Sequence, residues 1–180
     1  MRRLTVTFLY AAVAASLILA PAGCKRKRKQ QAQAEEPLNG LATMLHTADP
    51  RVAPQLVKGF HPVEQNSWRW TMGRFSVVLK PPAGAAQKGA VLQFKFTIPD
   101  VILNQLKAVT LSATVNGVSL PPETYSTAGD QTYSRDVPAS ALTGDSVTAD
   151  FALDKFLPPG SQDARELGVV ASTIGFEAKP

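Results

Sequence analysis

Two tryptophans flank an arginine at Trp68-Arg69-Trp70, and the chain contains two tryptophans in total. Alternate residues of a strand point to opposite faces, so on a strand both indoles share one face and Arg69 points to the other. One arrangement puts the indoles in the core and Arg69 in water. The other holds Arg69 inward and leaves an exposed aromatic surface. The first arrangement is structural, and the second is a binding surface.

Charged residues from two segments of the chain complete a candidate site with the tryptophans. Aromatic faces pack against the C–H side of a sugar ring, while planar charged groups form hydrogen bonds with its hydroxyls. The candidate ligand-binding residues are Glu64, Trp68, Arg69, Trp70, Asp163, Arg165 and Glu166. In the alternative, structural role, Arg69 forms a bidentate pair with Glu166 or Asp163 that fixes strand register. That role predicts that at least one indole is buried.

Residues suited to catalysis or to metal binding are sparse. The chain has two histidines, His46 and His61, and a single cysteine, Cys24. These residues are too few for a multi-histidine metal site, and because the only cysteine belongs to the N-terminal export segment, no Cys/His catalytic pair is expected. The sequence also lacks a Gly-rich phosphate loop, a nucleophile elbow, a metalloprotease helix and an Asp-x-Asp calcium loop. We therefore expect a non-catalytic protein with no cofactor and no bound metal.

The positive charge of the chain is concentrated at its N-terminus. The formal net charge is +5, but residues 1–29 hold 7 of the 19 basic residues and no acidic residue. The remainder has 12 basic and 14 acidic residues, a net charge of −2. A surface that binds the phosphate backbone of a nucleic acid needs more basic than acidic residues, so the sequence predicts no nucleic-acid partner.

The first residues have the layout of an export signal, with a basic start, an uncharged apolar stretch over residues 4–20 and small residues before Cys24. Residues 22–24, Ala-Gly-Cys, resemble the end of a bacterial lipobox, in which the cysteine is lipidated. Pro21 stands where that motif usually has leucine, and ordinary cleavage after Ala22 also fits. A lone cysteine behind an export signal has no disulfide partner, which favours lipidation of Cys24.

The five basic residues 25–29 support a different topology. By the positive-inside rule they favour a cytoplasmic C-terminal side, so an uncleaved anchor in reversed orientation is the alternative. The apolar stretch is close to the ~20 residues that span a bilayer. Residues 25–37 are polar and end at a proline, as in a solvated linker. In both cases, residues 1–24 are a signal peptide or membrane anchor, and the folded domain spans residues 38–180 in the cell envelope.

From residue 59 onward, apolar residues recur at every second position, which is typical of strands with one buried face. Asn116-Gly117 predicts a hairpin, and Pro121-Pro122 predicts a turn. A short helix is expected over residues 138–142, and one or two helical turns over residues 41–45. Strands are predicted over residues 59–64, 67–80, 90–98, 107–116, 132–137, 145–154 and 164–177. This pattern predicts an all-β fold, a single antiparallel β-sandwich of jelly-roll or immunoglobulin-like type.

The order of four short segments resembles that of a group of known modules. The segments are Gly59-Phe60 with Glu64, Trp68-Arg69-Trp70-Thr71, Val115-Asn116-Gly117, and Asp163-Ala164-Arg165-Glu166-Leu167-Gly168. They resemble β-sandwich modules found beside bacterial glycosyltransferases and in membrane-associated surface proteins, which look like carbohydrate-binding domains. The resemblance covers residues 59–177 and implies a β-sandwich with a role in carbohydrate binding.

These observations lead to two hypotheses of different class. The first is a non-catalytic, membrane-tethered binding module for glycan, at the cell surface or in the periplasm. The second is a structural or assembly lipoprotein whose sheet face contacts another envelope protein. An exposed tryptophan beside unpaired arginine and glutamate favours the first. A large apolar patch or an uncovered sheet edge favours the second.

Overall fold

Antiparallel strands make up most of the regular structure in the computed structural model, which describes residues 40–161 and 163–180. The predictions for residues 1–39, including the signal or anchor, the linker and Cys24, lie outside the described residues. The strands are β1 Met44–His46, β2 Leu56–Phe60, β3 Arg69–Leu79, β4 Ala90–Ile98, β5 Val109–Val115, β6 Val118–Tyr125, β7 Gly129–Val137, β8 Val147–Leu153 and β9 Val170–Ala178. The helices are α1 Ala85–Lys88 and α2 Asp100–Leu106, with 3-10 turns at Pro50–Gln55 and Ala139–Ala141.

The strands form one nearly closed, barrel-like sheet, in the order β6-β5-β8-β3-β9-β4-β7. Two short strands lie off this path, with β1 paired to β9 and β2 paired to β3. The all-β prediction is confirmed. The finer expectation of two stacked sheets of jelly-roll or immunoglobulin-like type stays a prediction. Within the described ranges, no helix is long and apolar enough to cross a membrane.

The long strand β3 changes partners along its length, and this change positions the candidate site. Its first residues, Arg69 and Trp70, pair with Ala171 and Val170 of β9. Its later part, from Arg74 onward, pairs with β8. The start of β3 therefore lies beside β9, which pairs with β4 on its other edge, while the rest of β3 belongs to the other side of the barrel.

The seam between β6 and β7 closes through side chains, since these two strands form no ladder in the described part of the chain. Tyr133 Oη and Arg135 Nε donate to the Pro121 carbonyl at 2.8 and 2.9 Å. Arg135 also forms an ion pair with Glu123 at 2.7 Å. The turn predicted at Pro121-Pro122 is wrong: both prolines lie within β6, at a register shift against β5. A bulge tolerates proline because its residues need not donate to a ladder.

Aromatic side chains from both sides of the barrel meet in its interior. Phe75 of β3 stacks on Phe151 of β8 with ring centroids 4.9 Å apart, and its ring meets the edge of Phe94 of β4 at 5.5 Å. All three rings are at most 3 % exposed. Burial of such side chains stabilises a fold by about 1.5–3 kcal/mol each. The alternating apolar residues of the sequence therefore form the core.

Several predicted elements are confirmed, and others are corrected. The bounds of β4 are those predicted, and the hairpin at Asn116-Gly117 is present. The helical turns expected over residues 41–45 are wrong. Met44 lies opposite Gly175 of β9, and a Cβ on Gly175 would lie only 2.5 Å from the Met44 Cα, so the glycine allows a strand to pack there. The helices α1 and α2 were not predicted, because short helices have too few turns for a clear period.

Candidate functional site

A tight turn places Glu64 beside Trp68 just before β3. The Ser67 amide donates to the Glu64 carbonyl at 3.0 Å, and the Glu64 amide donates to the Trp68 carbonyl at 2.8 Å. The two central residues, Gln65 and Asn66, have φ angles of 49° and 54°. Hairpin turns with both central residues in this left-handed region match the twist of the flanking strands. The turn therefore fixes Glu64 close to the first indole.

A row of directly opposed residues from three strands forms the floor of the site. Trp70 of β3 lies opposite Val170 of β9, which lies opposite Thr97 of β4. Opposed residues in such pairs have Cβ atoms about 4.5–5.5 Å apart and share one face. Trp68 precedes Trp70 by two residues, and Pro99 follows Thr97 by two residues, so each continues the same face of the sheet. Both indoles therefore share one face of the sheet, as strand alternation predicts.

The six residues of this region surround a surface depression of about 370 Å³. We call it the indole depression; it is lined by Glu64, Trp68, Trp70, Thr97, Pro99 and Val170. Both indoles are half-buried, and Trp70 packs against the edge of the core. The expectation that at least one indole lies in the core is therefore wrong, since neither ring is buried. Two partly accessible rings line one depression.

Arg69 points away from the indoles and binds backbone carbonyls. Its Nε donates to the Thr47 carbonyl at 2.7 Å, and its Nη1 donates to the His61 carbonyl at 3.1 Å. The predicted pair between Arg69 and Glu166 or Asp163 is wrong, because the guanidinium of Arg69, at the start of β3, binds these carbonyls instead. Arg69 thus connects the loop after β1 to His61, the residue that follows β2, and it does not line the indole depression.

Glu166 also has a bracing role. Its Oε1 accepts a hydrogen bond of 2.6 Å from the Gly73 amide of β3. Its carbonyl oxygen lies 2.6 Å from Nε2 of the buried His61. The segment that precedes β9 is therefore held to β3 through Glu166, although with partners that were not predicted.

Arg165 forms ion pairs with Asp163 and Glu64. Asp163 accepts from Arg165 Nε at 3.0 Å and from Nη2 at 2.9 Å, and Arg165 Nη1 donates to Glu64 Oε1 at 2.6 Å. The hydrogen bonds from Arg165 hold the pKa of Asp163 at about 2, below its ordinary value. The pKa of Arg165 is raised by the same hydrogen bonds and by that with Glu64. Asp163 and Arg165 are therefore both charged at neutral pH, and Arg165 fixes the position of the Glu64 carboxylate.

A second depression lies on the far side of Arg165 and has a volume of about 330 Å³. We call it the proline depression; among its lining residues are Val101, Leu157, Pro158, Pro159, Asp163, Arg165 and Leu167. Val101 is 44 % exposed at the start of α2. This depression is therefore mainly aliphatic, in contrast to the indole depression.

The outer face of β2, β3, β8 and β5 carries a third depression of about 390 Å³, which was not predicted. Lys58, Arg74, Ser76 and Asp150 line it. Lys58 and Asp150 are 3.7 Å apart, and Asp150 also accepts a hydrogen bond from Ser76. Its aromatic residue, Phe151, is only 3 % exposed. Without an accessible ring, this face is less suited to a sugar than the indole depression.

The seven predicted residues thus separate into three groups. Glu64, Trp68 and Trp70 line the indole depression, Asp163 and Arg165 line the proline depression, and Arg69 and Glu166 brace the structure. Sequence reasoning missed Thr97, Pro99 and Val170. These residues carry no chemical signal of their own, and their role follows from the neighbouring positions of β3, β9 and β4.

The assembled site offers aromatic faces, one oriented carboxylate and one guanidinium at a single surface. In the part of the chain that the structure describes, no three His, Cys, Asp or Glu residues are grouped to hold a metal ion. Such a surface binds through packing and hydrogen bonds. No protein-family model matches the chain, and a search of curated proteins found no similar protein.

Proposed function

We propose that this chain is a non-catalytic glycan-binding module of the bacterial cell envelope, tethered to a membrane by its N-terminal segment. One observation carries the proposal. Both tryptophans and Glu64 line the same depression, while Arg69 is turned to the opposite side of β3. This is the arrangement that an aromatic binding surface requires.

The depression has the two chemical properties that a sugar needs. The indoles offer apolar faces to the C–H side of a ring, with the amphipathic character typical of tryptophan in binding sites. Glu64 offers a carboxylate, whose second oxygen accepts from a sugar hydroxyl while Oε1 is held by Arg165. Because the ion pair fixes the carboxylate beforehand, less conformational entropy is lost on binding.

The tryptophans make a direct test possible. The chain has two tryptophans, and both line the indole depression, so all of its tryptophan fluorescence originates there. A glycan array probed with the detergent-solubilised full chain selects a ligand. Titration of that ligand should shift the emission to the blue as the indoles are shielded from water. Trp68→Phe and Trp70→Phe then assign the change to each ring.

Trp68→Ala and a matched control decide whether the depression is the site. Met72 lies on β3 and on the same face as Trp70, and it is 37 % exposed, but it does not line the depression. Trp68→Ala should weaken binding by tenfold or more, at about 1.4 kcal/mol per factor of ten, and Met72→Ala should leave it unchanged. Equal binding by Trp68→Ala and wild type would overturn the proposed site.

An assembly role has one observation in its favour. In the described residues β2 pairs with β3 alone, and Val57 on this edge strand is 56 % exposed. However, β2 has two register shifts and carries Lys58, and irregular, charged edges resist pairing with another strand. Glycan binding is therefore the better-supported function. If no glycan on the array binds the full chain, the assembly role becomes the better hypothesis.

The proposed tether is tested separately. If Cys24 is lipidated, the wild-type chain should incorporate a fatty-acid analogue in bacterial cells and sediment with membranes. Cys24→Ser should lose the label and move to the soluble fraction. A labelled Cys24→Ser variant, or an unlabelled wild type, would contradict lipidation at this residue.

A further inference from the structure

The indole depression and the proline depression meet at the ion pair between Glu64 and Arg165. Glu64 lines the first, Arg165 lines the second, and the joining hydrogen bond is 2.6 Å long. The chain connects them again on another element. Pro99 lines the first depression, and Val101, two residues further on, lines the second. The two depressions are therefore neighbours on one surface.

The boundary between them is itself able to bind hydroxyl groups. The side chains of Glu64 and Arg165 are each 35 % exposed. A guanidinium has five N–H donors, and Arg165 directs three of them to Asp163 and Glu64. The two remaining N–H donors and the other lone pairs of the carboxylates lie on side chains that are about one third exposed, so a polar chain that crosses the boundary has hydrogen-bonding partners there.

The charges around this surface favour an uncharged ligand. Glu64 and Asp163 outnumber Arg165, which leaves this trio with a net charge of −1. Asp130 adds a further carboxylate beside the floor of the indole depression, because it accepts from Thr97 Oγ1 at 2.6 Å. An anionic ligand would be repelled, whereas neutral hydroxyls donate to carboxylates and accept from guanidinium.

We infer that the binding surface accommodates an uncharged glycan chain of at least two sugar units, one over the indoles and the next in the proline depression. The inference rests on the proposed function and specifies its ligand class. The first unit packs on the aromatic rings. The next packs on the aliphatic surface of Val101, Leu157 and Pro158, and the linkage between them crosses the Glu64–Arg165 pair.

Chain-length dependence tests the inference. The neutral glycan that binds most tightly on the array is cut into fragments of one to six sugar units. Each fragment is titrated into the full chain, and binding is measured by tryptophan fluorescence. The dissociation constant should fall by about tenfold or more between one unit and the longer fragments and then level off. Equal affinity for all lengths would overturn the two-depression site but leave the proposed function intact. Absence of binding by any glycan would overturn the proposed function itself.

A substitution in the proline depression tests whether the gain in affinity with ligand length arises there. Val101→Gln puts a longer polar side chain at an exposed position of the proline depression, and it should remove the gain with length while single-unit affinity stays unchanged. Val118→Gln is the matched control, because Val118 is 36 % exposed on β6 and lines neither depression. If Val101→Gln keeps the full gain, the second unit binds elsewhere and the inference is wrong.

The charge requirement has its own measurement. A fragment of the same length and linkage whose units carry carboxylates should bind more weakly than the neutral fragment at low salt. Added salt should narrow the difference, because screening weakens repulsion between exposed charges. Equal or tighter binding of the acidic fragment would overturn the inference that the ligand is uncharged.

Discussion

Arg165 donates a hydrogen bond of 2.6 Å to Glu64, across 101 positions of sequence. Among the residues that the structure describes, the same local geometry also occurs at Asp49-Pro50-Arg51. There Asp49 Oδ1 accepts from both the backbone amide and the Nε of Arg51, as Asp163 Oδ1 does for Arg165. The added bond to Glu64 distinguishes the Arg165 cluster and connects it to the indoles.

This pair of similar clusters gives the first prediction. Arg165→Met should weaken glycan binding by about tenfold, since Glu64 loses the group that orients it. The urea midpoint should change little, because partly exposed ion pairs add little to stability. Arg51→Met, the control, should change neither binding nor the midpoint by much. Equal losses of binding in both variants, measured by tryptophan fluorescence, would contradict the role of the Glu64 contact.

The second prediction concerns Arg69, which was expected at the site but binds carbonyls. Arg69→Met keeps the aliphatic stem and removes both bonds, to Thr47 and His61, so the free energy of unfolding should fall by about 2–4 kcal/mol. Arg74→Met is the control on the same strand, since Arg74 is exposed and makes no side-chain hydrogen bond or ion pair among the described residues. Urea unfolding measures both. A stable Arg69→Met variant that no longer binds glycan would place Arg69 in the site.

The third prediction is a pH dependence. Arg165 holds the pKa of Asp163 at about 2, below its ordinary 3.8. Because the folded state has the lower pKa, the stabilisation is present above about pH 4 and is lost as the pH falls through about 2. The Tm of wild type should therefore fall slightly more than that of Asp163→Asn between these values, by a small margin because the pair is about one third exposed. Parallel curves from calorimetry would show that this contact adds nothing to stability.

The fold was predictable where a single segment carries its own signal. The alternation of apolar residues over Ala90–Ile98 predicted the bounds of β4. Asn116-Gly117 predicted the hairpin between β5 and β6, and these two residues have φ angles of 46° and 81°. The turn predicted at Pro121-Pro122 was wrong, because a pair of prolines also fits a β-bulge within a strand. Short segments such as Met44–His46 were misassigned, since three residues fit several periods.

The site was predictable in its residue types but not in its contacts. Alternation placed Trp68 and Trp70 on one face. The row from Trp70 to Val170 and Thr97 depends on the order of strands, which the period of a strand does not encode. The partners of Arg69 are carbonyl oxygens, which every residue carries, so no side-chain pattern could have identified them.

The last prediction concerns the junction beneath the indole depression, where Gly168 packs against β3. A Cβ on Gly168 would lie 2.6 Å from Thr71 Oγ1 and 2.7 Å from the Met72 carbonyl oxygen. The Gly168 amide also donates to the Thr71 carbonyl at 2.7 Å. Gly168→Ala must therefore push β3 away from the segment entering β9, and the free energy of unfolding should fall by about 1–3 kcal/mol.

Because Trp70 and Val170 lie just beyond this junction, Gly168→Ala should also weaken glycan binding by the folded protein. Gly160→Ala is the matched control for stability, since a Cβ there comes no closer than 4.0 Å to another heavy atom, the Pro158 carbonyl oxygen. It is not a control for binding, because Gly160 lines the proline depression. Urea unfolding compares the two variants, and fluorescence titration of Gly168→Ala against wild type measures binding. A Gly168→Ala variant as stable as Gly160→Ala would mean that β3 and β9 can separate without cost, and the close packing beneath the indoles would then have no role in holding the site.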